Sequence, residues 1–167
     1  MLSTVHLMYA YTQWADTRMF TALMRLTDEQ WTRPLGSSHA SIRDTAVHTI
    51  SAQWLWLSRW RHKAKPQLWN PADFPTPSSL HARWSELSKE LQAFVAAQTE
   101  ESVLADQTIT SLKGEASTQQ LGGMLLHVAN HSTYHRGQVA TLLRQLGQTP
   151  EVTDLILYLR QQRASHP

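Results

Sequence analysis

Apolar residues recur along this chain at intervals of three and four positions, in long blocks separated by proline, glycine and small polar residues. That period predicts amphipathic α-helices rather than strands. The first block runs from about Thr4 to Leu26, with Leu7, Ala10, Tyr11, Trp14, Phe20, Leu23 and Met24 on its apolar positions. Thr27-Asp28-Glu29 and then Pro34-Leu35-Gly36-Ser37-Ser38 break it. The second block opens at Ser41, an N-cap with Asp44 three residues on, which is an acidic form of the capping box. It continues through His48, Ile50, Trp54, Leu57 and Trp60. Pro66, Pro71, Pro75 and Pro77 punctuate the next segment, which reads as an ordered loop. A third helix is expected from about Ser78 to Thr99, with Leu80, Trp84, Leu87, Leu91, Phe94 and Val95 facing inward.

The period lapses between Val103 and Ser117. Gln107 to Gly114 alternates weakly, as an extended segment does, with too little apolar content for an independent sheet. The fourth block starts after Ser117-Thr118 and runs to Leu146, stopped by Gly147 and Pro150. A short fifth helix, about Thr153 to Gln162, follows. Four long amphipathic helices plus one short one read as an all-α, four-helix bundle. The 167 residues fit a single domain, 1–167, with one core.

Composition narrows the function more than the fold. The net charge of +2, from 15 basic and 13 acidic residues, is too small to argue for nucleic acid. The short Arg59/Arg61/Lys63/Lys65 cluster reads as a solvated helix end. No apolar run approaches the roughly 18 residues that span a bilayer. The opening residues lack the pattern of a signal peptide, so a cytoplasmic protein without a membrane anchor is expected. The absence of cysteine removes thiolate ligands and a Cys nucleophile. Nine histidines and seven tryptophans remain as the distinctive residues. Trp14, Trp54 and Trp56 are possible pocket walls, with core packing as their ordinary use.

Three histidines, His127, His131 and His135, recur at four-residue spacing in the fourth block. At about 100° per residue, His131 and His135 fall within about 20° of Met124, on the stripe that also carries Val128, Val139, Leu142 and Leu146. His127 falls near the stripe's edge. His127 and His135 lie about 12 Å apart along the axis, too far to share one ion with bonds of about 2 Å. His131 and His135 are therefore the better pair, and a third ligand has to come from a facing helix. His48 is the best candidate, on the face marked by Thr45, Ala52 and Leu55. His6, His39, His62, His81 and His166 lie at helix starts, loops or termini and are not expected to be ligands. Paired core imidazoles without a metal remain the plain alternative, although two of them side by side need polar partners, which a cation supplies.

The segment His127-Val-Ala-Asn-His131-Ser-Thr-Tyr-His135-Arg-Gly-Gln138, with Leu142-Leu-Arg-Gln-Leu-Gly147 and Asp154-Leu-Ile-Leu-Tyr158-Leu, resembles the DinB/YfiT-like superfamily. Trp14-Ala15-Asp16 and Ser41-Ile42 before Thr45-Ala-Val-His48 are similar to that family's first two helices. The resemblance implies a four-helix bundle, often a homodimer, holding a divalent metal, typically nickel or zinc, on three histidines. Carried onto this chain, those are His48, His131 and His135. His127, Asn130, Tyr134, Arg136 and Gln138 are candidates for the surrounding shell, with helix surface or interhelical contact as their ordinary roles.

Three imidazoles leave a divalent ion an open position, and the ion lowers the pKa of what binds there. The resemblance implies small-molecule chemistry of two kinds: thiol S-transfer or isomerisation with a low-molecular-weight thiol, or metal-assisted hydrolysis. No general acid or base is legible, and the small-molecule substrate is not specified. A non-enzymatic metal-binding bundle, or a sensor or partner-binding dimer, is the competing expectation. The sequence offers no convincing fourth ligand, which favours an open site.

Overall fold

The computed structural model describes residues 1–62 and 66–165, so Lys63, Lys65 and His166 lie outside the described residues. Four long helices make the bundle: α1 (Leu2–Leu23), α3 (Ile42–Trp60), α4 (Pro77–Ala96) and α6 (Leu121–Gln145). Short helices α2 (Asp28–Thr32) and α5 (Glu100–Leu104), a 3-10 turn (Pro71–Asp73) and α7 (Leu155–Ala164) fill the connections. The expected mainly-α bundle with a short C-terminal helix is what forms. Among the described residues no helix is long and apolar enough to cross a membrane.

Local chemistry sets the helix ends. The Thr27 hydroxyl accepts from the Gln30 N–H, and the Gln30 side chain answers to the Thr27 N–H, so α1 stops at Leu23 and a separate α2 begins. The same reciprocal box, Thr76 with Ser79, starts α4, and Thr99 with Ser102 starts α5. At α3 only half of the expected box forms. The Ser41 hydroxyl accepts from the Asp44 N–H at 3.2 Å, while the Asp44 carboxylate pairs with Arg43 at 3.1 Å. The end of α6 closes as anticipated: Gly147 adopts φ 74°, the Gln148 N–H reaches the Leu143 carbonyl and the Gly147 N–H reaches that of Arg144.

One stretch departs from the pattern. Asp106–Thr110 and Ala116–Gln120 form an antiparallel hairpin, β1 and β2, pairing Asp106 with Gln120. Ser117 and Thr118 are therefore strand residues, and α6 starts only at Leu121. An isolated two-stranded ribbon is marginal in water. Here the half-buried Gln107 and Ile109 alternate on β1, and Ile109 packs against the main core beside α3. Docking on the bundle thus supplies what the strand's own apolar content lacks.

The core joins Val5, Phe20 and Leu23 of α1, Ile50 and Leu57 of α3, Leu80 and Leu87 of α4, and Leu125, Leu142 and Leu143 of α6. Trp31 is wholly buried and donates its indole N–H to the Phe74 carbonyl at 3.0 Å, which fixes the proline-rich loop as an ordered segment. Tyr11, Trp14 and Tyr158 make a smaller aromatic cluster that seats α7 on α1.

A polar knot crosses this core. Asp16 of α1 and Arg136 of α6, 1% and 3% exposed, form an ion pair at 2.8 Å. Gln53 of α3 donates to the second Asp16 oxygen at 2.8 Å and to Ser132 at 3.1 Å, and Arg136 also donates to Thr133 at 2.7 Å. The Arg136 guanidinium lies 5.3 Å from the centre of the Tyr11 ring. Removing one partner of a buried pair strands the other charge. Asp16→Ala should therefore cost about 3–5 kcal/mol of folding stability. Denaturant unfolding measures it, and a midpoint equal to wild type would contradict this role.

Candidate metal centre

The knot holds α3 and α6 with their histidines face to face. Arg136 follows His135 directly, and Gln53 lies little more than one turn beyond His48. On α6, His135 is buried, His131 half-buried and His127 exposed, so the two that the helical wheel turns inward are the two that are covered. His48 is half-buried on α3 between the buried Thr45 and Ala52.

The rings converge. The Nε2 atoms of His131 and His135 lie 3.0 Å apart. The His48 ring centre is 4.5 Å from that of His135 and 5.3 Å from that of His131. Two imidazole nitrogens this close share either a proton or a cation, since two bare lone pairs repel. On the far side of His135, Nδ1 lies 2.7 Å from the Gln138 Oε1. With Nδ1–H donating to that carbonyl, the His135 Nε2 keeps its lone pair on the side of His131. This is the arrangement that orients a ligating histidine.

Burial keeps the rings uncharged. The His48 and His131 pKa values fall from 6.5 to about 4, first from burial and then from the neighbouring imidazoles. That of His135 also falls through burial, opposed by its bond to Gln138. A donor set of neutral imidazoles with no thiolate suits a borderline divalent ion such as zinc or nickel.

One histidine was missed. His39, in the loop before α3, joins the cluster, its ring centre 4.5 Å from that of His48 and 5.8 Å from that of His135. Nitrogens of His39, His48 and His135 all lie within 4.8 Å of one another. His39 does stand in a loop, but it was not expected among the ligand candidates, and its place beside His48 and His135 puts it there. A Gly-Ser loop has no periodicity to project, and only nearness in sequence to His48 hinted at it.

The other candidates part company. Gln138 touches the site directly. Tyr134, 64% exposed, sets its ring edge-on to His135 at 5.0 Å. Arg136 turns away into the knot. Asn130 is exposed on the outer face of α6. His127 contacts Trp56 at 5.3 Å between ring centres, and Trp56 is the one of the three suggested tryptophans that approaches the histidine row. Trp14 packs in the α7 cluster, and Trp54 meets Trp69. Arg59 lies over Trp56 and Arg61 pairs with Glu90, as a solvated helix end does. Arg59 also lines a cavity of about 850 Å³ with His62, Leu68 and Ile109. Arg59 is eleven residues from His48, roughly 16 Å along α3, so that cavity is not at the cluster of His48, His131 and His135.

The neutral rings give the metal-free protein a defined acid sensitivity. Their pKa values are lower folded than unfolded, so the unfolded chain binds more protons between pH 6.5 and about 4. Stability should fall as pH drops through that window and level off, on this account, below it. Urea midpoints of metal-free protein against pH check this. His48→Gln should flatten the slope, and an unchanged slope would contradict the assignment.

Comparison with known proteins agrees with the architecture. Residues 1–165 match the model of the DinB family. The chain is 26% identical over 159 residues to Protein DinB of Bacillus subtilis (strain 168), covering 91% of each. It also resembles in fold the crystal structure of a DinB-like protein from Bacillus cereus ATCC 10987, with a TM-score of 0.64 at 19% identity over 84% of this chain and 91% of that one. With the family model spanning almost every residue, this chain belongs to the DinB family.

Proposed function

We propose that His48, His131 and His135 hold one divalent cation, nickel or zinc, and that the protein uses it in thiol S-transfer or hydrolysis on a small molecule. The observation that carries this reading is the 3.0 Å approach of the His131 and His135 Nε2 atoms beside the His48 ring. A bound divalent ion would supply Lewis acidity, lowering the pKa of a water or thiol ligand. Gln138 fixes the His135 tautomer. Tyr134 and Gln138, which both touch His135, also line a cavity of about 380 Å³ with Leu35, Ser37 and Thr141, large enough for a small molecule. A low-molecular-weight thiol cosubstrate, a homodimer and a cytoplasmic location belong to the same proposal.

A second reading has its own observation. His39 brings another imidazole to the cluster, and a cation closed by four side chains is the hallmark of a structural site. In that case the ion adds folding stability and no turnover follows.

His135→Ala should abolish stoichiometric metal by elemental analysis, and retention of one ion per chain would count against the assignment. Gln138→Leu should keep the ion but bind it roughly 10- to 100-fold more weakly. Metal-loaded protein assayed against a panel of thiols and electrophiles tests turnover. Equal rates from wild type and His48→Ala would favour the structural reading.

A further inference from the structure

Resting on the three-histidine reading above, we propose that His39 is a fourth, loop-borne ligand to the same cation, displaced when a small-molecule thiol binds. Imidazoles bound through one nitrogen at about 2 Å to a common tetrahedral ion carry their ring centres about 5 Å apart. Among His39, His48, His131 and His135, five of the six possible ring pairs lie between 4.3 and 5.8 Å. The nitrogens of His39, His48 and His135 lie within 4.8 Å of one another, against about 3.3 Å around a tetrahedral ion. Binding one ion would require these side chains to rotate and close that difference.

The loop explains why this ligand differs from the other three. His48, His131 and His135 stand on long helices pinned by the Asp16–Arg136 pair. His39 stands between the exposed Ser38 and Ala40, two residues ahead of the Ser41 cap. Gly36 turns the loop with φ 64°, and the Leu35 N–H closes it onto the Ala40 carbonyl at 3.0 Å. Its link to α6 is a long bond from the Gln138 amide to the Ser38 hydroxyl, 3.5 Å. The 380 Å³ cavity runs along the same loop, bounded by Leu35, Gly36 and Ser37 on one side and Tyr134 and Gln138 on the other. A molecule in that cavity therefore borders the short, exposed loop that carries His39, two residues beyond Ser37. A thiol entering the coordination shell binds as thiolate and releases one proton to solvent, and neutral His39 leaves. The exchange needs no oxidant or reductant.

Cobalt(II) reports both halves of the proposal. Wild-type protein loaded with one equivalent should show the intense visible bands of a four-coordinate ion. His39→Ala should still take up one equivalent, with weaker bands of higher coordination and cobalt affinity reduced by roughly tenfold or more. Titration with 2-mercaptoethanol should bring in thiolate-to-cobalt absorption in both proteins, at roughly tenfold lower thiol concentration in the variant because no imidazole has to leave. His39→Gln, which keeps a polar side chain in the loop, should behave as His39→Ala does and guards against a misfolded variant. Identical spectra, affinities and thiol titrations in wild type and both variants would overturn the proposal while leaving the three-histidine site standing. Failure of wild type to bind cobalt would remove both.

Discussion

The buried pair of Asp16 and Arg136 is the constraint on which the rest of this structure depends. Apolar packing between helices tolerates small rotations and slides, because one leucine surface resembles another. An ion pair excluded from water does not. Each charge must keep its partner within hydrogen-bond distance or bear a desolvation cost of several kcal/mol. Asp16 answers to α6 through Arg136 and to α3 through Gln53, so one carboxylate sets the azimuth of three helices. His135 is the neighbour of Arg136 in sequence, and its direction follows. A hydrophobic replacement of the knot could match its stability without fixing that direction.

The pair also shapes the electrostatics of the histidine cluster. An unpaired guanidinium beside the cluster would repel any cation that bound there. Here Asp16 cancels that charge at 2.8 Å. The imidazoles, kept neutral by burial, add no opposing charge near pH 7. The knot thus stabilises the bundle without adding net charge beside the imidazoles.

Much of this was legible in the sequence because helices project it. The spacing of Met124, Val128, Val139 and Leu142 marked which face of α6 turns inward, and so separated His131 and His135 from His127. The run Thr45, His48, Ala52, Leu55 did the same for α3. Legibility ended where periodicity ended. His39 lies in a Gly-Ser loop whose path depends on a left-handed glycine and a single closing hydrogen bond. The hairpin forms because the bundle receives Ile109, a property of the surface it docks on. Arg136 looks like a helix-surface residue until Asp16, 120 positions away, is placed beside it. The short α2 is different: Thr27 and Gln30 carry its reciprocal box in plain view.

That separation of 120 positions has a bearing on how the molecule is made. Contacts so distant in sequence close late, because the intervening chain must first surrender its freedom. During synthesis the early segments leave the ribosome long before α6 exists, and Asp16 cannot be buried until its counter-charge arrives. Final consolidation of the amino-terminal helix therefore waits on the last third of the chain. A growing polypeptide consequently has no complete histidine cluster until α6 has been made, and any cation taken up there would enter the finished protein.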